Sequence, residues 1–200
     1  MQQLSDERRL IKEAAREFTM HRVLPLANKL DPEKGLIPRE LIDEMAELGY
    51  FAILIPEQYG GLGLGACEYC LVAEELARGW MSVASLIARG NGLIGALDGL
   101  TSEQKAVALP KMAKGEFLGA FSLSEPNAGS EAAMAKLFAS EMSEVVTSEG
   151  LQIHGGAGYT THFAAERYWR DARLTKIFEG TSEIQNRIIS DALLGKIAKA

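Results

Sequence analysis

Four short stretches hold side chains at spacings that suit chemistry. SLSEPNAGS (122–130) combines hydroxyls with an extended segment and a Pro/Gly turn. Such a segment offers N–H and O–H donors to a flat polar ligand or a phosphate, and a plain surface turn has the same composition. QIHGGAGYT (152–160) sets paired glycines after a helical pattern. Glycines let a backbone approach a ligand closely, and helix C-caps use them as well. RDARLTKIFEGTSEIQ (170–185) places Glu179 between Phe178 and Gly180, in a break between two helices. An apolar neighbourhood suits a carboxylate acting as general base, because it favours the protonated form. Gly180 leaves room for a substrate. Thr181 and Ser182 bring hydroxyls to the start of the next helix, whose first N–H groups favour anions. The plainer alternative is a solvated loop acid ahead of a capped helix. Cys67 and Cys70 form a C-x-x-C pair. It could be a redox pair or half of a zinc site, but a zinc site needs two more ligands at matching spacing and His21, His154 and His162 are scattered, and a thioredoxin-type motif should follow a strand and open a helix. In ACEYCLVAEELAR the pair falls within a helical pattern, so two small residues on one helix face is the preferred reading.

The elements that position these stretches are mostly helical. Residues 5–20 place Leu10, Ile11, Ala14, Ala15 and Phe18 on one stripe, which continues loosely past Pro25. A helix from about Arg39 to Leu48 turns Leu41, Ile42, Met45 and Leu48 inward and stops at Gly49. FAILIPEQYGGLGLG (51–65) is interrupted by Pro56 and glycines and cannot be regular helix. Helices follow over 66–78 and about 81–99. TSEQ (101–104) is a capping box opening a helix toward Ala113. GEFLGAFSL turns extended, with one or two short strands near 117–124. The pattern is helical again from Ser130 to about Leu151, over about 163–171, and from a second capping box at SEIQ (182–185) to about 195.

Composition bounds the possibilities. Two hundred residues that are 47% hydrophobic and 24% charged are ordinary for a globular chain. The net charge of −6 argues against a nucleic-acid partner, which would select a basic surface. No apolar run reaches the length of a membrane span. The N-terminal segment is a charged amphipathic helix carrying Asp6, Glu7, Glu13 and Glu17, unlike a secretory or transit leader, and a cytoplasmic location is expected.

IPEQYGGLGL, GAFSLSEPNAGS, QIHGGAGYT and ERYWRDARLTKIFEGTSEIQ, in this order, resemble the acyl-CoA dehydrogenase family. The resemblance implies an all-α N-terminal domain (1–116), a remnant of the start of a β domain (117–130) and a remnant of a C-terminal helical bundle (131–200). It implies FAD as cofactor, an acyl-CoA as substrate oxidised to the 2-enoyl-CoA, a homodimer or homotetramer, and an electron-transfer flavoprotein as acceptor. By resemblance Glu179 is the base that takes the α-proton, and Gly180 lies against the substrate. Thr181 and Glu183 match positions that touch FAD. Phe121, Ser122, Leu123 and Ser124 match the strand beside the flavin ring, and Ser130 closes that loop near flavin and substrate. Gln152, Gly155 and Gly156 match the turn that reaches the ADP half of FAD on a neighbouring subunit. In the family the rest of the β domain and the first long bundle helices lie between EPxAGS and AKLFAS. Here Ser130 is followed almost at once by AKLFAS, so the resemblance implies an internally shortened member. The apolar faces Leu137, Phe138, Met142, Val145 and Val146, and Ile184, Ile188, Ile189 and Leu193, would then repack on the N-terminal helices or on another chain. The alternative is a catalytically inactive homologue serving as a helical oligomerisation or CoA-ester-binding module.

Overall fold

The computed structural model describes residues 4–92, 99–119 and 130–195. They form two compact units, divided between Phe121 and Ser122, and the described residues are helical without strands. Residues 117–119 are irregular, and the remainder of the strand expected near 117–124 lies outside the described residues.

In the first unit, α1 (Asp6–Phe18) is opened by Ser5, whose Oγ accepts from the Arg8 N–H. The chain then widens into a π-helical turn, Thr19–Val23, before α2 (Leu24–Leu30). Pro25 therefore does not loosen the pattern as expected. It sits in the first turn of α2, where a missing N–H costs least, and the π turn absorbs the change of register. The inward stripe of α1 is narrower than its sequence suggests: Ala15 is buried and Ile11 and Phe18 are half-buried, but Leu10 and Ala14 are exposed. The helix α3 (Arg39–Glu47) buries Leu41, Ile42 and Met45, while Leu48, expected inward, is exposed in the turn that closes at Gly49 with φ +76°.

The core of this unit forms where α4 (Ala66–Gly79) packs on α1 and on α5 (Met81–Gly92). Leu76, Val83 and Ile87 are fully enclosed with Met45 and Leu41, each contributing about 1.5–3 kcal/mol by leaving water. Gly79 lets α4 cross the π turn closely, since a Cβ there would lie 2.6 Å from Thr19 Cγ2. Asn91 is buried and fully used: its Nδ2 donates to the Tyr50 and Ile87 carbonyls and its Oδ1 accepts from the Leu54 N–H. It pins the irregular 50–54 segment to α5. The Glu75 side chain is wholly buried in α4, between Arg16 (Nη2 at 2.9 Å) and Arg78 (Nε at 3.0 Å). Burial pushes its carboxyl up, but the two guanidinium groups outweigh this and hold it below the usual range. The expected capping box opens α6 (Ser102–Ala113): Thr101 Oγ1 accepts from Gln104 N, and Gln104 Oε1 accepts from Thr101 N. Leu109, Met112 and Ala113 of α6 pack on Ala52 and Ile55.

The second unit comprises α7 (Ser130–Gly158), α8 (Ala165–Thr175) and α9 (Ser182–Leu194). The helix α7 lies against both others. Its face orientation reverses the usual rule. Ala133 and Ser140 are buried, with Lys136, Leu137, Ser143, Glu144 and Thr147 half-buried. Met134, Phe138, Met142, Val145, Val146 and Ile153 are exposed. Small and polar residues thus line the contact, and the apolar stripe is left outside. On α9, Ile184 and Leu193 are exposed and Ile188 and Ile189 half-buried. Ala133 and Ala172 are the buried apolar residues among those described in this unit, so its core is thin.

Candidate functional site

The stretch that carries most of the candidate chemistry is the turn from α8 into α9. The helix α8 runs one turn further than its sequence suggests, to Thr175, with the Ile177 and Phe178 N–H groups both donating to Leu174 O. The chain then reverses through Glu179 at φ +54° and Gly180 at φ +94°. The left-handed region is disfavoured for a side chain such as that of glutamate, so something must hold it there. Two side chains do. Lys136 Nζ, from the first turns of α7, donates to the Gly180 carbonyl at 2.7 Å. Gln185 Nε2, from α9, donates to the Glu179 and Gly180 carbonyls, each at 3.2 Å. A Cβ at Gly180 would also lie 2.5 Å from Gln185 Nε2, so a side chain there would displace that amide from the carbonyls it holds.

The capping differs from the expected box at SEIQ. Thr181, not Ser182, is the N-cap, its Oγ1 accepting from the Ile184 N–H at 3.4 Å. The Gln185 side chain is spent on the turn rather than on a cap. Ser182 N donates to Lys176 O, and the Ser182 hydroxyl is buried with no hydrogen-bond partner.

Glu179 itself is exposed, and Phe178 beside it is 38% exposed. The apolar enclosure expected around this carboxylate is therefore not supplied by its immediate neighbours. Burial pushes the Lys136 ammonium below its ordinary value, while the nearby Glu179 charge acts in the opposite sense. Glu183, exposed at the start of α9, is held below the usual carboxylate range by Thr181 and by its own backbone N–H. Below this turn Glu144 of α7 accepts from Lys176 Nζ at 2.7 Å, with Arg173 at 3.8 Å, and the lysine first, then the arginine, keeps that carboxyl low.

Glu179, Gly180, Thr181 and Glu183 are thus gathered in one turn. Gln152, Gly155 and Gly156 are exposed toward the other end of α7, with Gly155 breaking the helix at φ +59° and ψ −150°. Sixteen residues of helix separate Gln152 from Lys136, about 24 Å along the axis, so the two groups do not form one cluster within this unit. Ser130 opens α7. Phe121, Ser122, Leu123 and Ser124 lie outside the described residues. Lys136 and Gln185, which hold the turn, were missed by the sequence reading. The available signal was a lysine within an otherwise apolar AKLF segment and a glutamine six residues after Glu179.

Comparison with known proteins gives this geometry a context. The family described as acyl-CoA dehydrogenase, N-terminal domain, matches residues 5–116, and that described as acyl-CoA dehydrogenase, C-terminal domain, matches 115–194. The (2S)-methylsuccinyl-CoA dehydrogenase of Cereibacter sphaeroides is 37% identical over 164 residues, 80% of this chain and 29% of that protein. The chain spans about a third of the length of the curated relatives it matches. Butyryl-CoA dehydrogenase from Megasphaera elsdenii superposes with a TM-score of 0.85 at 19% identity, covering 97% of this chain and 100% of that one. A chain from a structural study of the electron transferring flavoprotein of Acidaminococcus fermentans superposes with a TM-score of 0.87 at 20% identity, covering 98% and 100%. At these identities the structural likeness shows the fold.

Proposed function

The chain belongs to the acyl-CoA dehydrogenase family, and from that premise we propose that it is an FAD-dependent dehydrogenase oxidising an acyl-CoA thioester to the 2-enoyl-CoA. The observation that carries this reading is the α8–α9 turn, where two side chains from different helices hold Glu179 in a left-handed backbone. Strain of that kind, fixed by its surroundings, is a mark of functional positions. Glu179 is the base: its carboxylate takes the α-proton of the thioester, and the electrons of that C–H bond form the double bond as a hydride leaves the β-carbon. Gly180 leaves the substrate side of the turn free of a side chain. FAD, when bound, supplies the hydride acceptor.

The donor set fits that cofactor in kind. The Thr181 hydroxyl and the Glu183 carboxylate suit the hydrogen-bonding edge of a polar ring or a ligand hydroxyl. At Gly155 and Gly156 a Cβ would meet nothing within 4 Å, so the backbone beside Gln152 is open to an extended ligand. Ser130 and the segment Phe121, Ser122, Leu123 and Ser124 complete the cofactor and substrate contacts in this proposal. The separation along α7 supports a site shared between copies, with Gln152, Gly155 and Gly156 serving a neighbouring subunit. The exposed stripe of Phe138, Met142, Val145 and Ile153 supports self-association. An electron-transfer flavoprotein as acceptor and a cytoplasmic location belong to the same proposal; no described helix is long and apolar enough to cross a membrane. The residues 117–130 as a remnant of a β domain, between helical parts at 1–116 and 131–200, are likewise proposed.

The test is Glu179→Gln. It keeps the shape of the turn and removes the base, so FAD stays bound and acyl-CoA oxidation is lost. Undiminished oxidation by this variant overturns the assignment of the base. The exposure of Glu179 favours a second reading, an inactive helical module that binds CoA esters or other copies without turnover. A folded chain that binds an acyl-CoA but no FAD identifies that case.

A further inference from the structure

The helix α9 buries one of its residues, and that residue is a glutamine. Gln185 is 5% exposed, while Ile184 and Leu193 of the same helix face outward. Burying a polar side chain costs free energy unless its hydrogen bonds are made. Gln185 makes them on one short target: its Nε2 donates at 3.2 Å to the Glu179 carbonyl and at 3.2 Å to the Gly180 carbonyl. Two acceptors facing one amide dictate that its NH2 end, not its oxygen, points at them, and that end has one N–H for each.

The two carbonyls are not served alike. The Gly180 oxygen also accepts from Lys136 Nζ at 2.7 Å, whereas the donor to the Glu179 oxygen is Gln185. A peptide unit is planar, so fixing the Glu179 oxygen fixes the whole plane that leaves Glu179. With φ held at +54°, the direction in which the Glu179 side chain departs from the turn is then set. Glu179 is exposed, so this backbone direction, rather than close packing, is what aims its carboxylate. Lys136 cannot substitute for the amide, because it grips the next carbonyl along and leaves the plane between Glu179 and Gly180 free to turn.

We propose that Gln185 is a positioning residue for the α-proton transfer: its buried amide holds the Glu179–Gly180 peptide so that the carboxylate meets the α-carbon of the thioester at reacting distance. The inference rests on the assignment of Glu179 as the base. Gln185 touches neither substrate nor cofactor and acts through Glu179. Its loss therefore falls on the chemical step and not on binding.

The experiment compares Gln185→Met, equal in length but without a donor, with the wild type as full chains carrying FAD, rates being taken per bound flavin. The expected result is retained flavin, a KM within about twofold, and a kcat lower by roughly ten- to hundredfold, as for a reacting group misplaced by about 1 Å. With the acyl-CoA deuterated at its α-carbon, the isotope effect on kcat should be larger in the variant, because proton transfer alone has slowed. Gln185→Leu should repeat the loss. An unchanged kcat, or a loss carried by KM or flavin content with the isotope effect of the wild type, overturns the proposal. Hydrogen–deuterium exchange gives a readout free of turnover: without cofactor, residues 177–184 should exchange faster in Gln185→Met while the helices of the first unit are unchanged, and equal exchange over 177–184 overturns the hold itself. Glu179→Gln separates this inference from the reading beneath it. If that variant oxidises an acyl-CoA normally, the base is wrong and the role of Gln185 falls with it. If it is inactive while Gln185→Met keeps the wild-type kcat, the role of Gln185 alone falls.

Discussion

Replacing Lys136 by methionine removes the one charged donor to the Gly180 carbonyl while keeping most of the side chain's apolar length. A hydrogen bond from a charged donor contributes about 1.5–3 kcal/mol. Three features put this one at the low end. The ammonium is only half-buried, burial already opposes its charge, and the Gly180 oxygen keeps Gln185 Nε2 at 3.2 Å and is not orphaned. The expected loss is about 1–2 kcal/mol. Against it stands the left-handed backbone of Glu179, which costs about 1–2 kcal/mol. With the lysine gone the turn is held by Gln185 alone, and its open form rises about tenfold for each 1.4 kcal/mol lost. The local assay is trypsin cleavage after Lys176, which needs the chain there to open. Lys136→Met should be cut roughly five- to thirtyfold faster than wild type, with a lower urea midpoint at the same slope. Equal cleavage rates and equal midpoints would refute the claim that Lys136 holds the turn.

Two further predictions concern the first unit and the ionic contacts. Glu75→Ala removes the buried carboxylate that Arg16 and Arg78 reach, but both guanidinium groups are about half exposed and stay hydrated. The expected cost is that of the lost charge-assisted hydrogen bonds, about 1.5–3 kcal/mol, read as a lower thermal or urea midpoint; a change below about 1 kcal/mol would show the pair to be surface-like. Glu68, Glu75 and Glu144 all have folded-state carboxyls held below their ordinary value of 4.5. A depressed folded value means the folded chain binds fewer protons, so the stability they contribute is complete above that ordinary value and is lost as pH falls through the depressed ones. Urea midpoints should therefore fall as pH drops below about 4.5, and a flat or rising midpoint there would contradict the ion pairs.

What was legible in the sequence was whatever depends on neighbours in the chain. The Thr101–Gln104 box, the stop at Gly49 and the break at Gly155 follow from local backbone chemistry, and each stands where its residues predict it. The gathering of Glu179, Gly180 and Thr181 at a helix start was legible for the same reason. Periodicity failed where a partner decides the outcome. The stripe of Phe138, Met142 and Val145 says that α7 has an apolar face, but not which face meets α8 and α9. Those helices take the small side, at Ala133 and Ser140, because small residues let helices approach closely. Leu10 and Leu48 fail in the same way, each a leucine at the margin of its stripe. The hold of Lys136 on the Glu179 turn was illegible, because it links residues 44 positions apart through a backbone carbonyl that no residue type announces. Gln185 is only five and six positions from the carbonyls it holds, but its place in SEIQ suggested a cap instead.

The central claim is that this chain, whose matches span about a third of its curated relatives, still makes a flavin site. Purified chain mixed with FAD and freed of unbound cofactor by gel filtration tests it directly through its visible spectrum. The account predicts flavin absorption bands that stay with the protein and bleach when an acyl-CoA is added without oxygen. A colourless, folded eluate would contradict it and leave a helical member of the family without the family's chemistry.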